Sequence, residues 1–215
     1  MTSTRLPGKV LADLGGRSVL QWVLARLEAA SELDGVVVAT SDDPSDDPVA
    51  QAAASLGASV VRGPLVDVLA RYAIAARELG SEGIVRVTAD CPLIDPAVVD
   101  EVVAAWREGG AAYVSNVIEP RTYPVGMDAE VVDAAALLVA DAEASEAHDR
   151  EHVTPFVRSR PERFAQRAVR LAEPRPDVRL TLDTPEDLEV LRDVVGATGP
   201  DRALAELVAA ADARP

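Results

Sequence analysis

Short runs of β-branched residues alternate along this chain with longer stretches in which apolar residues recur every three or four positions. The short runs predict buried strands, and the longer stretches predict amphipathic helices. The predicted strands are 35–40, 58–63, 82–90, 111–117, 163–171 and 178–183. The predicted helices are one that ends near Leu56, then 66–80, 96–110, 148–160, 185–195 and a tail from Asp201. This alternation predicts an α/β fold, a mainly parallel sheet with helices on both faces.

The segment EPRTYPVGMDAEVVDAAALL (119–138) breaks the alternation, because it contains two prolines and a glycine. A short strand from about Asp128 to Val132 is predicted to run into a helix there. We interpret residues 117–132 as an excursion from the sheet that serves as a dimerisation arm or a lid. Since no linker divides the chain, residues 1–215 are predicted to form a single domain.

Polar residues stand where several predicted strands end: Thr40-Ser41-Asp42, Asp90-Cys91-Pro92, Asn116 and Asp183. Ligands of open parallel sheets bind beyond the carboxyl ends of the strands. One or two carboxylates together with phosphate oxygens hold Mg²⁺, so Asp90 and Asp183 are candidate metal ligands. Taken singly, each is equally well explained as an aspartate that caps a loop. In LTLDTPEDLE, Thr184 is the predicted N-cap of the helix that follows Asp183.

The net charge of −15 argues against nucleic acid as the main partner, because phosphate backbones select basic surfaces. It leaves open a small anionic ligand in a local basic pocket. Cys91 is the single cysteine, which rules out an internal disulfide and favours a reducing compartment. No apolar run approaches the roughly 20 residues of a membrane span. The expectation is a cytoplasmic protein without membrane contact.

The opening stretch STRLPGKV resembles a phosphate-binding loop without matching the Walker A pattern. That pattern needs glycine at position 3 and Ser or Thr at position 10, where this chain has Ser3 and Val10. What the stretch retains is a Pro7-Gly8 turn flanked by Arg5 and Lys9, whose charges suit triphosphate oxygens. The alternative is a terminus with ordinary surface cations, and the stretch alone does not decide between the two.

The stretch HDREH (148–152) matches the HxxEH pattern of inverted zinc proteases. A zinc site is disfavoured, because the motif is short and the surrounding chain has a nucleotide-binding pattern. The alternative is a solvated helix face on which Glu151 and His152 line a substrate pocket.

In VVRGPLVDVLARY, Asp67 and Arg71 stand one helical turn apart, which predicts a structural ion pair. The competing hypothesis is that Arg62 or Arg71 binds a carboxylate or phosphate of a ligand.

Together these stretches resemble the cytidylyltransferase family of the CMP-KDO synthetases, and most of all its branch of spore coat polysaccharide biosynthesis protein F. The similar motifs occur in the family's order over nearly the whole chain: STRLPGKVL, VVVATSDD, RG before DVLARY, VRVTADCPLIDP, YVSN, TYPVGMDAEV, REHVTP and LTLDTPEDLE. The resemblance implies a Rossmann-like nucleotide-diphospho-sugar transferase fold and a homodimer. It also implies transfer of CMP from CTP to a sugar or sugar acid with release of pyrophosphate, in the synthesis of surface polysaccharide or glycoconjugate.

By position, the resemblance also assigns site residues. Catalytic roles are implied for Arg5, Lys9 and Asp90, and nucleotide binding for Ser3, Arg5, Gly8, Lys9 and Asp90. Mg²⁺ ligation is implied for Asp90 and Asp183. Substrate contacts are expected from Arg62, Arg71, Asn116, Asp128, Glu151 and His152. The chain departs from the KDO enzymes at Asp90, where TADCP replaces their GD-x-P form.

Two other classes of function are open to the same residues. A glycosyltransferase that uses a preformed nucleotide-sugar would release no pyrophosphate and would normally carry an Asp-x-Asp motif, which Asp90-Cys91-Pro92 is not. A non-catalytic sugar-nucleotide-binding protein would bind CTP without turnover.

The resemblance raises one question about the start of the chain. In the family, the phosphate loop follows a first strand, whereas here it begins at residue 1. We expect the reading frame to continue upstream by about one strand. We also expect the sheet of the 215-residue chain to have a gap or an unpaired edge beside the strand from Val36 to Ala39.

Overall fold

The computed structural model describes residues 5–199 and 202–214. Its strands are β1 (Asp13–Leu14), β2 (Arg17–Ser18), β3 (Val37–Ser41), β4 (Ser59–Gly63), β5 (Gly83–Arg86), β6 (Tyr113–Ser115), β7 (Glu130–Asp133) and β8 (Gln166–Ala168). Its helices are α1 (Val19–Glu28), α2 (Asp47–Ser55), α3 (Val68–Leu79), α4 (Pro96–Arg107), α5 (Ala134–Glu143), α6 (Ala147–His152), α7 (Pro155–Arg158), α8 (Pro185–Thr198) and α9 (Leu204–Asp212). Short 3₁₀ turns at Lys9–Leu11 and Pro44–Asp46 complete these elements.

The strands form one four-stranded sheet and two pairs. The large sheet has the order β5-β7-β6-β8, while β3 pairs with β4 in parallel and β1 with β2 antiparallel. Within the large sheet β7 is antiparallel to both neighbours, and β6 and β8 are parallel. The predicted α/β fold is confirmed, but the large sheet is mixed rather than mainly parallel, because β7 enters between β5 and β6 and runs antiparallel to both.

The segment predicted to leave the sheet does so only in part. Residues 117–129 lie outside the strands, but Glu130 begins β7 in the middle of the sheet. Val131 and Val132 are each only 1 % exposed, as expected of a strand covered on both faces.

Several predicted boundaries are wrong. The strand predicted to end at Asp90 ends at Arg86, and that of 163–171 shrinks to β8. In place of a strand at 178–183 there is one β-bridge, between Val125 and Arg179. The helix of 148–160 is divided into α6 and α7, because the buried Val153 takes a positive φ of 74°. A strand ends where it has no neighbouring strand to pair with, and the apolar pattern of a sequence does not show where that happens. This explains most of these differences.

Helices cover both faces of the large sheet, as predicted. On one face α1, α4 and α8 bury an aliphatic core that includes Val19, Val99, Val102 and Leu191. On the other face α3, α5 and α7 contribute Leu69, Leu137 and Phe156. The loops that follow the strands are thus attached to a packed three-layer support.

A gap separates β3 from β5. Each strand pairs on one edge, β3 with β4 and β5 with β7, and within residues 5–199 and 202–214 neither has a ladder on its other edge. A cavity of about 730 Å³ lies between them. It is lined by Val37 and Ala39 of β3, Ile84 and Val85 of β5, Tyr72 and Ala75 of α3, and Val103 and Trp106 of α4. The predicted gap beside Val36 to Ala39 is confirmed. It has the surroundings of a buried strand, with a strand edge on either side and a helix above and below.

A buried carboxylate, Glu130, connects the large sheet to α7. It is 3 % exposed and accepts hydrogen bonds from Arg86, Tyr113 and Thr154, the last at 2.8 Å.

Glu130→Ala is expected to lower the free energy of unfolding by about 3–5 kcal/mol, because it leaves the Arg86 guanidinium largely buried without its carboxylate. Urea unfolding measures this. Glu130→Gln, which keeps a hydrogen-bonding group for Tyr113 and Thr154, should lose less, and a loss below about 1 kcal/mol for the alanine variant would contradict the assignment.

Candidate active site

The loop that carries Lys9 turns back tightly on itself. Gly8 has a φ of 72°, a left-handed conformation that glycine adopts without steric cost, and its carbonyl accepts from the Leu11 N–H at 2.9 Å. The Lys9 N–H donates to the Leu6 carbonyl at 3.2 Å. The turn directs the Lys9 side chain inward, so that only 14 % of it is exposed.

Backbone hydrogen bonds bring the two candidate metal ligands together. The Leu182 N–H donates to the Asp90 carbonyl at 2.8 Å, and the Thr181 hydroxyl donates to the same carbonyl at 3.0 Å. Asp183 follows directly and precedes α8. The predicted N-cap is confirmed, since Thr184 Oγ1 accepts from the Asp187 N–H at 3.2 Å and Asp187 accepts from the Thr184 N–H at 2.9 Å. The capping box fixes the backbone at Asp183.

The Lys9 ammonium lies between these carboxylates. Its Nζ donates to Asp90 Oδ2 at 2.7 Å, to the Leu182 carbonyl at 2.8 Å and to Asp183 Oδ1 at 2.9 Å. Burial alone would lower the pKa of Lys9, but the hydrogen bonds and charges of Asp90 and Asp183 outweigh it and raise the pKa above 10.5. Lys9 is therefore fully charged at neutral pH.

Two arginines complete the charge of the site. Arg5, which is 63 % exposed, lies 3.3 Å from Asp183 Oδ1. Arg179 donates to Asp183 Oδ2 at 2.6 Å and also contacts Asp187 at 3.2 Å. Burial alone would raise the pKa of Asp183, but Lys9 and Arg179 lower it below 3.8. Arg179 was not predicted as a site residue, although its spacing of four residues from Asp183 in VRLTLD was a usable signal.

The donor atoms suit a hard divalent cation. Asp90 Oδ2 and Asp183 Oδ1 converge on a single nitrogen atom, so both point at one position. The described residues hold no group of three or more His, Cys, Asp or Glu side chains that could bind a metal by themselves. Two carboxylates are what Mg²⁺ uses when phosphate oxygens and water supply the rest of its octahedron. The residues present therefore fit Mg²⁺ that arrives with a phosphate ligand.

Cys91 stands next to Asp90 but offers no nucleophile. Its side chain is buried, and burial together with the charge of Asp90 raises the pKa of the thiol to about 12. The thiol is protonated at neutral pH.

The residues expected to contact the substrate form their hydrogen bonds with groups other than Lys9, Asp90 and Asp183. Arg62 donates to the Ser41 and Asp43 carbonyls, and Asn116 is fully buried against the backbone of Met127 and Ala129. Arg121 forms a two-point ion pair with Asp128, at 2.7 and 2.9 Å. Arg71 Nε is buried and has no hydrogen-bond partner among the described residues. Ser3 lies outside the described residues.

The HxxEH stretch forms the exposed helix α6. Glu151 and His152 are both exposed, and the rings of His148 and His152 lie 4.7 Å apart. Their placement matches a solvated helix face.

The predicted ion pair between Asp67 and Arg71 is wrong. Asp67 caps α3 by accepting from the Ala70 N–H at 2.9 Å, and its carboxylate pairs with Arg150 of α6 at 2.6 Å. Arg71 donates weakly to the Leu65 carbonyl at 3.4 Å. Asp67 pairs with Arg150, 83 positions away, instead of with the nearby Arg71, because tertiary packing places α6 against the start of α3.

The Asp67–Arg150 pair predicts a pH dependence. Burial alone would raise the pKa of Asp67, but the hydrogen bonds from Arg150 lower it below 3.8. A carboxyl group with a lowered folded pKa stabilises the protein above its unfolded pKa, and this stability is lost as pH falls through the folded pKa. We expect the gap in free energy of unfolding between wild type and Asp67→Asn to shrink from pH 7 towards roughly pH 2–3. Urea titrations at both pH values test this, and an equal gap at both would contradict it.

Comparison with known proteins adds a decisive observation. The sequence model of the cytidylyltransferase family matches residues 1–209. The chain belongs to the cytidylyltransferase family. It is therefore a nucleotidyltransferase, as the motifs indicated.

Individual relatives agree with this membership. The chain is 36% identical over 193 residues to an uncharacterized protein of Methanocaldococcus jannaschii, covering 87% of this chain and 76% of that protein. It is 32% identical over 219 residues to the spore coat polysaccharide biosynthesis protein SpsF of Bacillus subtilis, covering 97% of this chain and 89% of that protein. A 3-deoxy-manno-octulosonate cytidylyltransferase of Geobacter sulfurreducens is 40% identical over 111 residues, which is 51% of this chain and 43% of that enzyme.

Solved structures extend the likeness to the fold. A cytidylyltransferase from Leptospira borgpetersenii superposes with a TM-score of 0.91 at 32% identity, covering 97% of this chain and 89% of that one. A CMP:2-keto-3-deoxy-manno-octonic acid synthetase complexed with CTP superposes with a TM-score of 0.68 at 18% identity, covering 90% and 94%. The Rossmann-like nucleotidyltransferase fold is thus confirmed. Within the part of the chain that the structure describes, no helix is long and apolar enough to cross a membrane.

Proposed function

We propose that this cytidylyltransferase transfers CMP from CTP to a hydroxyl group of a sugar or sugar acid and releases pyrophosphate, in the synthesis of surface polysaccharide or glycoconjugate. The convergence of Lys9, Asp90 and Asp183 on one point is the observation that carries the proposal, because it brings together a cation of the kind that binds phosphates and two carboxylates of the kind that bind Mg²⁺. The relatives support the substrates: one is SpsF, and others are 3-deoxy-manno-octulosonate cytidylyltransferases.

In this mechanism the sugar hydroxyl attacks the α-phosphorus in line, and the protein contributes positioning and charge. Mg²⁺ held by Asp90 and Asp183 would neutralise the charge on the phosphate oxygens. Arg5, which lies exposed at the edge of the site, would hold the leaving β- and γ-phosphates together with Lys9. Arg179 keeps one oxygen of Asp183 occupied and so orients the other towards the site. No covalent nucleophile is needed, which agrees with the protonated, buried Cys91.

A pyrophosphate-release screen tests the proposal. The four nucleoside triphosphates are each combined with Mg²⁺ and a panel of sugars and sugar acids. We expect release with CTP and one class of acceptor, and none when the acceptor is omitted. Release that requires a different nucleotide, or CTP binding without turnover on any acceptor, would contradict it.

We further propose that the protein acts as a homodimer through the part of the segment 117–132 that lies outside the strands, residues 117–129. Light scattering at micromolar concentration should give a mass near twice the 22.6 kDa of one chain. A monomer that persists in the presence of CTP and Mg²⁺ would refute this.

A further inference from the structure

Lys9 is the single lysine of the chain. The remaining 20 of its 21 Lys and Arg residues are arginines, including every other cation of the site. The two side chains differ in shape, since lysine carries a compact ammonium with three rotatable donors and arginine a planar fork with fixed donor directions. Lysine thus occurs only at position 9, where its compact ammonium group is surrounded by oxygen atoms of Asp90, Leu182 and Asp183.

All three donors of that ammonium are used within the protein. They reach one oxygen of Asp90, one of Asp183 and the Leu182 carbonyl, at 2.7–2.9 Å. Carboxylate and carbonyl oxygens are also the ligands that hard divalent cations take. In this arrangement Lys9 has no donor left for a phosphate, and the carboxylates have no oxygen pair free for a metal at the same point. Lys9 and a metal ion therefore exclude each other there.

The surroundings allow Lys9 to leave without disturbing the carboxylates. Asp183 keeps Arg179 on its other oxygen, and the Asp90 carbonyl remains bonded to Leu182 and Thr181. The Lys9 ammonium is at the end of a flexible four-carbon side chain, which can turn away by rotation of its own bonds. The hydrogen bonds that hold the backbone at Asp90 and Asp183 do not involve Lys9.

We propose that Lys9 is a built-in counter-cation, which occupies the metal position in the nucleotide-free protein and moves to the phosphates when CTP and Mg²⁺ bind. This inference rests on the proposed function, which supplies the triphosphate and the metal. Its consequence is coupling: the nucleotide gives Lys9 another partner and so strengthens metal binding, and the metal strengthens nucleotide binding by the same factor.

Binding of Mn²⁺ without nucleotide tests the exclusion directly. Electron paramagnetic resonance counts free Mn²⁺ in titrations of wild type, Lys9→Met and Lys9→Arg. We expect Lys9→Met, which removes the cation, to bind Mn²⁺ at least tenfold more tightly than wild type. Lys9→Arg keeps a positive charge and should stay within about threefold of wild type. Equal affinity of wild type and Lys9→Met, or the same gain in both variants, would overturn the proposal.

Chemical labelling of wild type tests the movement and needs no variant to fold. Because Lys9 is the single lysine, acylation of its Nζ by an activated acetyl ester is read without ambiguity by peptide mass spectrometry. We expect slow acylation of the free protein, a severalfold faster rate with saturating Mn²⁺ alone, and renewed protection with Mn²⁺ and CTP. An unchanged rate when electron paramagnetic resonance shows Mn²⁺ bound would overturn the proposal. A missing effect of CTP would contradict the movement of Lys9 to the phosphates and, with it, the proposed function, while the arm with Mn²⁺ alone would still decide whether Lys9 and the metal exclude each other.

Discussion

Asp90→Asn and Asp183→Asn are each expected to lower kcat by at least a hundredfold while leaving the fold intact. Each variant removes one of the two carboxylates that converge on the Lys9 position. A metal that neutralises transition-state charge contributes several kcal/mol, and about 1.4 kcal/mol corresponds to a factor of ten in rate. Pyrophosphate release at saturating CTP measures the loss, and thermal unfolding monitors the fold.

Asp34→Asn is the matched control, because Asp34 has a fully exposed side chain and lies outside the site. It should keep the wild-type rate. Near-normal turnover in both Asp90→Asn and Asp183→Asn would show that the metal lies elsewhere.

A chain lengthened at its N-terminus by an apolar strand of five residues, such as Val-Ile-Val-Val-Ile, is expected to melt on the order of 5–10 °C above the 215-residue chain. Five residues span about 17 Å, which matches the five residues of β3. Lys9 bonds to Asp90, which follows the carboxyl end of β5. An added strand that lies in the gap and leads into the loop of Arg5 and Lys9 must therefore end on the same side of the sheet as β5, and so it would run parallel to β3 and β5. The added strand would fill the cavity of about 730 Å³ and pair with the edges of β3 and β5 that face it.

The expected size follows from two opposing quantities. Burial of each large apolar side chain contributes about 1.5–3 kcal/mol, and ordering each residue costs about 1–2 kcal/mol of backbone entropy. A net gain of a few kcal/mol corresponds to the stated shift for a chain of this size. An extension of Ser-Gly-Ser-Gly-Ser is the control, since it has the same length without apolar side chains. Equal melting temperatures for both extensions, and no added hydrogen-exchange protection in β3 and β5, would contradict the assignment of the gap.

Local patterns carried much of the fold. The capping box at Thr184 and the helix after Asp95, whose carboxylate accepts from the Ala97 N–H at 2.9 Å, were readable because caps and apolar periods involve neighbours along the chain. β7 was not readable as a sheet member, because its place between β5 and β6 depends on pairing with residues far away in sequence. The same holds for Asp67, which found Arg150 rather than the neighbouring Arg71.

By itself the sequence determined the α/β class, the family and the types of charged residue in the candidate site: cations in the opening loop and two aspartates, Asp90 and Asp183, that are distant in sequence. Only the tertiary structure decided that Lys9 stands between Asp90 and Asp183, because the bond from Leu182 to the Asp90 carbonyl joins segments about ninety positions apart. It also decided that Arg179 shares Asp183 and that β3 and β5 face each other across a cavity. The physical reason is the distance along the chain over which each kind of interaction acts. Propensities, caps and periods act within a few residues, whereas a shared ligand position is set by backbone pairing between distant segments that no local pattern encodes.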